Sequence, residues 1–265
     1  MAKKSDSNAY TIIFAIIMVL VVGSVLAFTA SSLKPAIKEN ERMEKQQNIL
    51  YALGVNENGE NDIVFVSTGK VAEVFKAKVS EQIVLEAKDG KIIKEMTREE
   101  FMKTEESKGK EPYLIDLKKQ QTRAKEGKSR FLPLFKGEQD GNVVYVAPIR
   151  GKGLWDAIWG YVALDEEMIV RGAFFDHAGE TPGLGANIKQ RYFMDDFYGE
   201  RLLTENGVFK GINVAKGNND PKNEIKDDNE VDALAGATIT GDGVSAMIKK
   251  DLKLYLPYFQ NLKNN

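Results

Sequence analysis

The hydrophobic and polar positions divide this chain into an apolar start and a longer mixed part. Residues 9–30 carry no charged side chain. As a helix rising about 1.5 Å per residue they span about 33 Å, enough for a hydrocarbon core of about 30 Å. The pattern predicts a transmembrane helix over 9–32 after a short tail, 1–8. The alternative, a secretory signal peptide, has an apolar region of about 7–15 residues and is less favoured.

The first part of the soluble region mixes helix, strand and charged sequence. A polar helix is predicted over about 38–53, because Ile49, Leu50 and Leu53 form an apolar stripe before a glycine. Short β-branched runs predict strands at 62–66 and 81–85. Charged side chains dominate residues 97–130, which predicts a solvated and partly mobile segment.

Apolar periodicity is clearer after residue 142. Strands are predicted at 143–147, 158–164, 169–175 and 207–214, a helix at 187–198, and a loose polar stretch at 217–230. The chain then ends in an amphipathic helix whose apolar residues recur three and four apart: Val244, Met247, Ile248, Leu252, Tyr255, Leu256 and Phe259. The predicted fold class is α+β behind a single N-terminal transmembrane helix.

Composition narrows the possible chemistry. The chain has no Cys, which excludes disulfides, iron–sulfur ligation and a cysteine nucleophile, and its single His excludes a multi-histidine metal centre. A net charge of −2 is not the electrostatic signature of a nucleic-acid-binding protein. If the chain is a redox protein, its electrons must travel on an organic cofactor.

Charge around the apolar segment does not fix its orientation. Lys3 and Lys4 precede the segment, but Lys34, Lys38 and other basic residues follow it. The positive-inside rule therefore does not favour an external C-terminal domain. On sequence alone the side of the membrane stays undecided.

The loop before the last helix has the features of a phosphate site. Ala235, Gly236 and Ala237 precede Thr238, so a hydroxyl lies on narrow backbone that a large partner can approach. Thr240 or Asp242 is the predicted N-cap of the helix, whose positive end attracts phosphate. The loop predicts a site for a phosphorylated ligand beside a hydroxyl. A glycine-rich capping loop with no ligand is the alternative.

The same loop resembles a known attachment motif. Asp232-x-x-x-Gly236-Ala237-Thr238 is similar to the pattern on which FMN is joined through its phosphate to threonine in flavinylated membrane redox proteins. The resemblance implies that Thr238 is the acceptor, that a flavin transferase makes the bond, and that Asp232 is recognised by that enzyme. The chain departs from the family at Ala235, where Ser or Thr is usual.

A second motif runs from His177 to Gly185. Its glycines and Pro182 predict a tight turn after a strand, with Glu180 and Thr181 as polar groups able to address a ring edge. The string resembles the isoalloxazine loop in FMN-binding domains of the sodium-pumping NADH:quinone oxidoreductases and the related Rnf-type complexes. A structural role for the histidine and a turn-stabilising role for the glutamate remain alternatives.

The third motif is Gly151-Lys152-Gly153-Leu154-Trp155, which is similar to a Gly-x-Gly-Leu-Trp element of the same family. The resemblance implies that Leu154 and Trp155 are apolar walls for the flavin. It also implies two parts of the soluble domain: a helical and charged α/β region at 33–140 and an FMN-binding domain at 141–265. The cofactor-binding residues it implies are Leu154, Trp155, His177, Glu180, Thr181, Leu184, Gly185, Asp232, Gly236, Ala237, Thr238 and Thr240. It implies no catalytic side chain and no metal ligand.

The extra charged region and the helix around Lys45–Leu50 make the chain most similar to the single-anchor flavin component of the sodium-translocating branch. The resemblance implies electron relay by covalent FMN on the periplasmic side of a bacterial inner membrane. Partner subunits would hold the NADH and quinone sites, because no Gly-x-Gly-x-x-Gly opens a helix after a strand here. The alternatives are the flavin component of an Rnf-type complex, a membrane-tethered module that binds a phosphorylated ligand reversibly, and a flavin-free scaffold.

Overall fold

The computed structural model describes residues 8–59, 62–218, 220 and 223–263. The predicted tail at 1–8 therefore lies outside the described residues except for Asn8. The chain forms two compact units, the first ending at Glu44 and the second beginning at Lys45.

The apolar segment belongs to one long helix, α1 (Asn8–Ala52), which is long and apolar enough to cross a membrane. Both predicted helices are confirmed as helical, but the expected separation between them is wrong. The residues between them, 33–37, stay helical although they include Pro35. Just beyond them, a Glu39–Arg42 ion pair at 2.7 Å supports the helix at a spacing of three residues.

The second unit is built on a six-stranded sheet in which all neighbours are antiparallel, in the order β2-β1-β3-β4-β5-β6. Its strands are β1 (Val79–Lys88), β2 (Lys91–Thr97), β3 (Arg130–Gln139), β4 (Asn142–Lys152), β5 (Ala157–Leu164) and β6 (Val170–His177). The strand predictions at 81–85, 143–147, 158–164 and 169–175 are confirmed.

Two strands of this sheet were not predicted from the sequence. β2 is a largely exposed edge strand with charged residues among its positions, so it lacks the apolar alternation that marks a strand. β3 carries Pro133 and begins with a charged residue, features that argue against a central strand. The sheet nonetheless tolerates Pro133, and β3 pairs with β1 through that position.

The strand predicted at 62–66 is wrong, because these residues form an irregular segment. The Val66 carbonyl accepts a hydrogen bond from Gln47 Nε2 at 2.6 Å instead of joining a ladder. The Phe65 ring packs against Tyr51 and Phe174 at centroid distances of 5.4 and 5.5 Å. The apolar residues therefore cover the sheet and do not extend it.

Short helices surround the sheet: α2 (Val71–Lys78), α3 (Arg98–Met102), α4 (Leu117–Lys125) and α5 (Arg191–Asp195), with 3₁₀ turns at Pro112–Leu114 and Gly185–Lys189. The charged segment 97–130 thus contains two α-helices. Thr97 and Glu100 form a capping box on α3, and Asp116 caps α4. The charged side chains of segment 97–130 therefore belong to the surfaces of short helices.

Two further predictions fail in part. The helix expected at 187–198 is divided between the second 3₁₀ turn and α5. Of the strand expected at 207–214 only β7 (Asn213–Val214) forms, and it pairs in parallel with β8 (Glu230–Val231). Both regions consist mostly of turns, in which the backbone hydrogen bonds do not repeat as they do along a helix or a strand ladder.

The C-terminal segment is helical as predicted, but it changes type along its length. It comprises α6 (Thr238–Met247), a π-helical turn (Ile248–Leu252), a 3₁₀ turn (Lys253–Tyr255) and α7 (Leu256–Leu262). α6 packs against the end of β4 at glycines: a Cβ on Gly243 would lie 2.4 Å from the Lys152 carbonyl oxygen. This close approach sets the position of the candidate site.

Candidate functional site

The predicted acceptor Thr238 is exposed and is the first residue of α6. The N-cap is Ala237, so the prediction of Thr240 or Asp242 as the N-cap is wrong. The helix begins earlier because the Gly241 N–H already donates to the Ala237 carbonyl at 3.0 Å. A hydroxyl therefore stands where the first helical N–H groups and the positive end of the dipole attract an anion.

The loop before Thr238 lies against the second motif. Gly236 has a φ of +68°, a left-handed conformation that favours glycine. A Cβ at this position would lie 2.8 Å from Leu184 Cδ2. The tight turn and the attachment loop, which are distant in sequence, are therefore in contact.

One buried carboxylate joins all three motifs. Glu180 is 4% exposed. Its Oε2 accepts a hydrogen bond from Thr240 Oγ1 at 2.6 Å, and its Oε1 accepts one from the Trp155 backbone N–H at 2.9 Å. The first motif's loop leads to Thr240, the second contributes Glu180 and the third Trp155, so the predicted grouping of the three strings is realised around this side chain.

Two glycines make room for this carboxylate. A Cβ on Gly153 would lie 2.5 Å from Glu180 Oε1, and one on Gly185 would lie 2.5 Å from both Glu180 Oε2 and Thr240 Oγ1. Neither position can carry a side chain without displacing the carboxylate. Gly153 was not among the predicted site residues, although its place in the Gly-x-Gly-Leu-Trp string was the available signal.

The hydrogen bonds keep Glu180 ionised. Burial by itself raises the pKa of Glu180, but the Thr240 hydroxyl and the backbone N–H groups of Trp155 and its neighbours hold that pKa below its ordinary value. The carboxylate is therefore a fixed negative charge at neutral pH. Its contacts favour the turn-stabilising role over acid–base chemistry.

His177 and Thr181 orient neighbouring groups. His177 Nδ1 accepts the Glu180 backbone N–H at 3.1 Å, which supports the structural role that the sequence left open. Trp155 Nε1 donates to Thr181 Oγ1 at 3.2 Å, so the exposed indole is held by a side chain of the second motif.

Large apolar side chains near these contacts are open to solvent. Trp155 is 66% exposed, Leu154 45% and Leu184 42%. Ile239, 57% exposed and adjacent to Thr238, was not predicted, and its position between two threonines was the only signal. Exposed apolar side chains gathered beside polar groups indicate a surface for a ligand or a partner.

Asp232 interacts with a different carboxylate, Asp196. It is half-buried, and its charge acts on Asp196, whose pKa burial and that charge raise to about 6. Nearby Glu200 is fully buried, and burial raises its pKa to about 7 although Asn223 Nδ2 donates to it at 3.1 Å. The hydrogen bonds found among the described residues do not join Asp232 to Glu180.

Comparison with known proteins agrees with the three motifs. Residues 153–253 match the family model described as "FMN-binding domain". The chain is 28% identical to the NqrC component of the Na⁺-translocating NADH-quinone reductase of Pseudomonas aeruginosa, over 92% of this chain and 90% of that protein. It is 27% identical to the same component from Neisseria meningitidis, over 100% and 98% of the two chains.

Solved structures agree as well. The chain superposes on the corresponding protein of Parabacteroides distasonis with a TM-score of 0.66 at 28% identity, covering 86% of this chain and 96% of that one. It superposes on NqrC of Shewanella oneidensis with a TM-score of 0.58 at 24% identity, covering 85% and 99%, which shows the shared fold. The predicted α+β fold behind one apolar helix is confirmed.

We expect Gly185→Ala to disrupt the Glu180 cluster. The new methyl group would collide with the Glu180 and Thr240 oxygens, and such overpacking lowers the free energy of unfolding by about 1–3 kcal/mol. The measurement is urea unfolding at pH 7. Gly179→Ala, in the same turn, is the matched control, because its Cβ would meet nothing closer than 3.9 Å. Equal stability of the two variants would contradict the packing described here.

Glu200→Gln should change the pH dependence of stability. The pKa of Glu200 is higher in the folded than in the unfolded chain, so folding stability decreases as pH rises from about 4.5 to about 7 and then levels off. Glutamine cannot ionise. The free energy of unfolding of the variant relative to the wild type should therefore increase by about 3 kcal/mol between pH 4.5 and pH 8.

The check is a series of urea unfolding curves across this pH range. Glu205→Gln, at an exposed position in the next turn, is the matched carboxylate-to-amide control. A pH-independent difference between Glu200→Gln and the wild type would show that Glu200 titrates normally.

Proposed function

Because this chain is similar to the NqrC components of the Na⁺-translocating NADH-quinone reductases along nine tenths or more of its length, we propose that it carries FMN and relays electrons within such a complex. The observation that carries the proposal is the meeting of three flavin-type motifs at Glu180, beside the exposed Thr238. The flavin-bearing domain is taken as residues 141–265.

In this proposal FMN is attached through its phosphate to the Thr238 hydroxyl. The exposure of Thr238 and its place at the start of α6 support the assignment, since the helix end stabilises negative charge next to the ester. Gly236 and Ala237 keep the backbone narrow on the approach side. A flavin transferase would form the bond and would recognise the region of Asp232. Ala235 removes one hydroxyl that the family usually supplies.

The site residues fit the rest of the cofactor. Leu154, Trp155 and Leu184 offer exposed apolar walls that a planar ring can cover. Thr181 offers a hydroxyl, and Glu180 fixes the backbone from which the indole projects. When bound, FMN supplies one-electron and two-electron redox chemistry, which the side chains of this cysteine-free chain do not.

Other proteins of the complex complete the activity in this proposal. The NADH and quinone sites belong to those partners. The path of the sodium ion also belongs to them, because a single apolar helix without charged side chains is a poor ion path. The helix α1 would anchor the chain in a bacterial inner membrane, with the flavin domain on the periplasmic side. Its length and the exposure of its apolar side chains support the anchor.

Thr238→Val should abolish covalent flavin. Valine has nearly the shape of threonine but no oxygen for the phosphoester. The full chain is expressed with a flavin transferase, purified in detergent, and analysed by intact-mass spectrometry and in-gel fluorescence after denaturation. We expect the wild type to carry one FMN per chain and the variant to have the unmodified polypeptide mass.

Thr181→Val is the matched control, since it removes a hydroxyl from the same site but leaves the acceptor. Covalent FMN on Thr238→Val would refute the assignment of the residue. A fluorescent wild-type protein that loses its flavin on denaturation would instead indicate reversible binding of a phosphorylated ligand, and a colourless wild type would indicate a scaffold.

The periplasmic orientation makes a separate prediction. Protease added to spheroplasts should cleave the flavin domain without opening the cytoplasmic membrane, and a cytoplasmic marker protein should stay intact. In inverted membrane vesicles the domain should be protected. Cleavage only in inverted vesicles would place the domain on the cytoplasmic side.

A further inference from the structure

A buried carboxylate in the C-terminal helical segment holds the far end of β4. Asp251 lies in the π-helical turn and is 6% exposed. Its Oδ2 accepts hydrogen bonds from the Arg150 backbone N–H at 2.9 Å and from Gln121 Nε2 at 3.3 Å. Gln121 Nε2 also donates to the Arg150 carbonyl at 2.8 Å. Two side chains thus satisfy both backbone polar groups of one strand residue.

This end of β4 needs such partners because its hydrogen-bonded ladder with β3 ends before it. β4 pairs with β3 only from Asn142 to Val146, whereas it pairs with β5 as far as Lys152. Beyond Val146 one edge of β4 has no ladder, and unpaired backbone groups at a buried edge are costly. Asp251 and Gln121 therefore supply, at Arg150, the backbone hydrogen bonds that a ladder would otherwise make.

A small cavity and two cationic side chains surround the buried Asp251 carboxylate. A cavity of about 20 Å³ adjoins it, lined also by Gln120 and Arg130, and this volume has room for one water molecule. Lys250 Nζ lies 3.9 Å from Oδ1. Burial raises the pKa of Asp251, while the Arg150 N–H and the nearby cations oppose that effect.

The strand that Asp251 holds leads directly to the flavin walls. A Cβ on Gly151 would lie 2.8 Å from Met247 Cβ, so β4 touches α6 immediately after Arg150. The chain then continues to Leu154 and Trp155, while Thr238 opens the same α6. The position of this strand end relative to α6 therefore sets the spacing between the walls and the attachment point.

We propose that Asp251 and Gln121 are positioning residues for the flavin site, which hold the end of β4 against the helix that carries Thr238. The charged segment 97–130 supplies Gln121 through α4, which gives that segment a role in the geometry of the site. This inference rests on the proposed function, because it concerns the environment of the flavin.

The test compares flavinylated full-length variants in detergent. Asp251→Ala should lose most of the visible circular dichroism of the bound flavin, shift its midpoint potential, and lower the Tm by roughly 5 °C. Asp251→Asn keeps an oxygen for the Arg150 N–H and should retain the dichroism and the potential of the wild type. Gln121→Leu should change both in the same direction as Asp251→Ala.

Phe101→Ala is the stability control, because Phe101 is buried in a separate small cluster with Val84, Met96 and Phe131. It should lower the Tm without changing the flavin signals. If Asp251→Ala keeps the flavin dichroism and midpoint potential of the wild type, the inference is wrong. If Asp251→Ala does not fold, unchanged dichroism and potential in Gln121→Leu would overturn the inference instead. A wild type without covalent flavin would instead overturn the proposed function.

Discussion

The site depends on one hydrogen-bonded carboxylate, Glu180, which ties together three segments that are far apart in sequence. A buried charge is stable only where donors surround it, and here they come from Thr240 and from the backbone around Trp155. Each donor fixes one segment relative to the others. The loop before Thr238, the tight turn and the exposed apolar side chains of Leu154 and Trp155 are thus held in one arrangement by the chain's own contacts.

Close backbone approach is the second constraint, and it explains why glycine occurs where it does. Gly153 and Gly185 leave room for the carboxylate, while Gly151 and Gly243 let β4 lie against α6. In each case the neighbouring atom belongs to another element or motif, so the requirement is tertiary. Gly151, Gly153 and Gly185 therefore act through packing, whereas Gly183 and Gly236 have a positive φ.

The charged segment 97–130 shows which structural features its composition predicts and which it does not. Its high charge indicated solvation, and its exposed faces agree with that. Yet its two α-helices are capped, and Gln121 on α4 donates a hydrogen bond to Arg150, on the strand that leads to Leu154 and Trp155. A single polar side chain with one long-range contact leaves no trace in periodicity or composition, so this link was not predictable.

Local pattern determined the long apolar helix, four of the six sheet strands and the amphipathic C-terminal segment, because each has a regular run of apolar positions. Resemblance of short motifs supplied the candidate site residues, and most of them meet around Glu180. The tertiary structure alone decided that residues 62–66 cover the sheet, that β2 and β3 complete it, that α6 starts at Thr238, and that the charge of Asp232 acts on Asp196. These outcomes depend on contacts between distant residues, whose free energies can outweigh local preference and which no single stretch of sequence encodes.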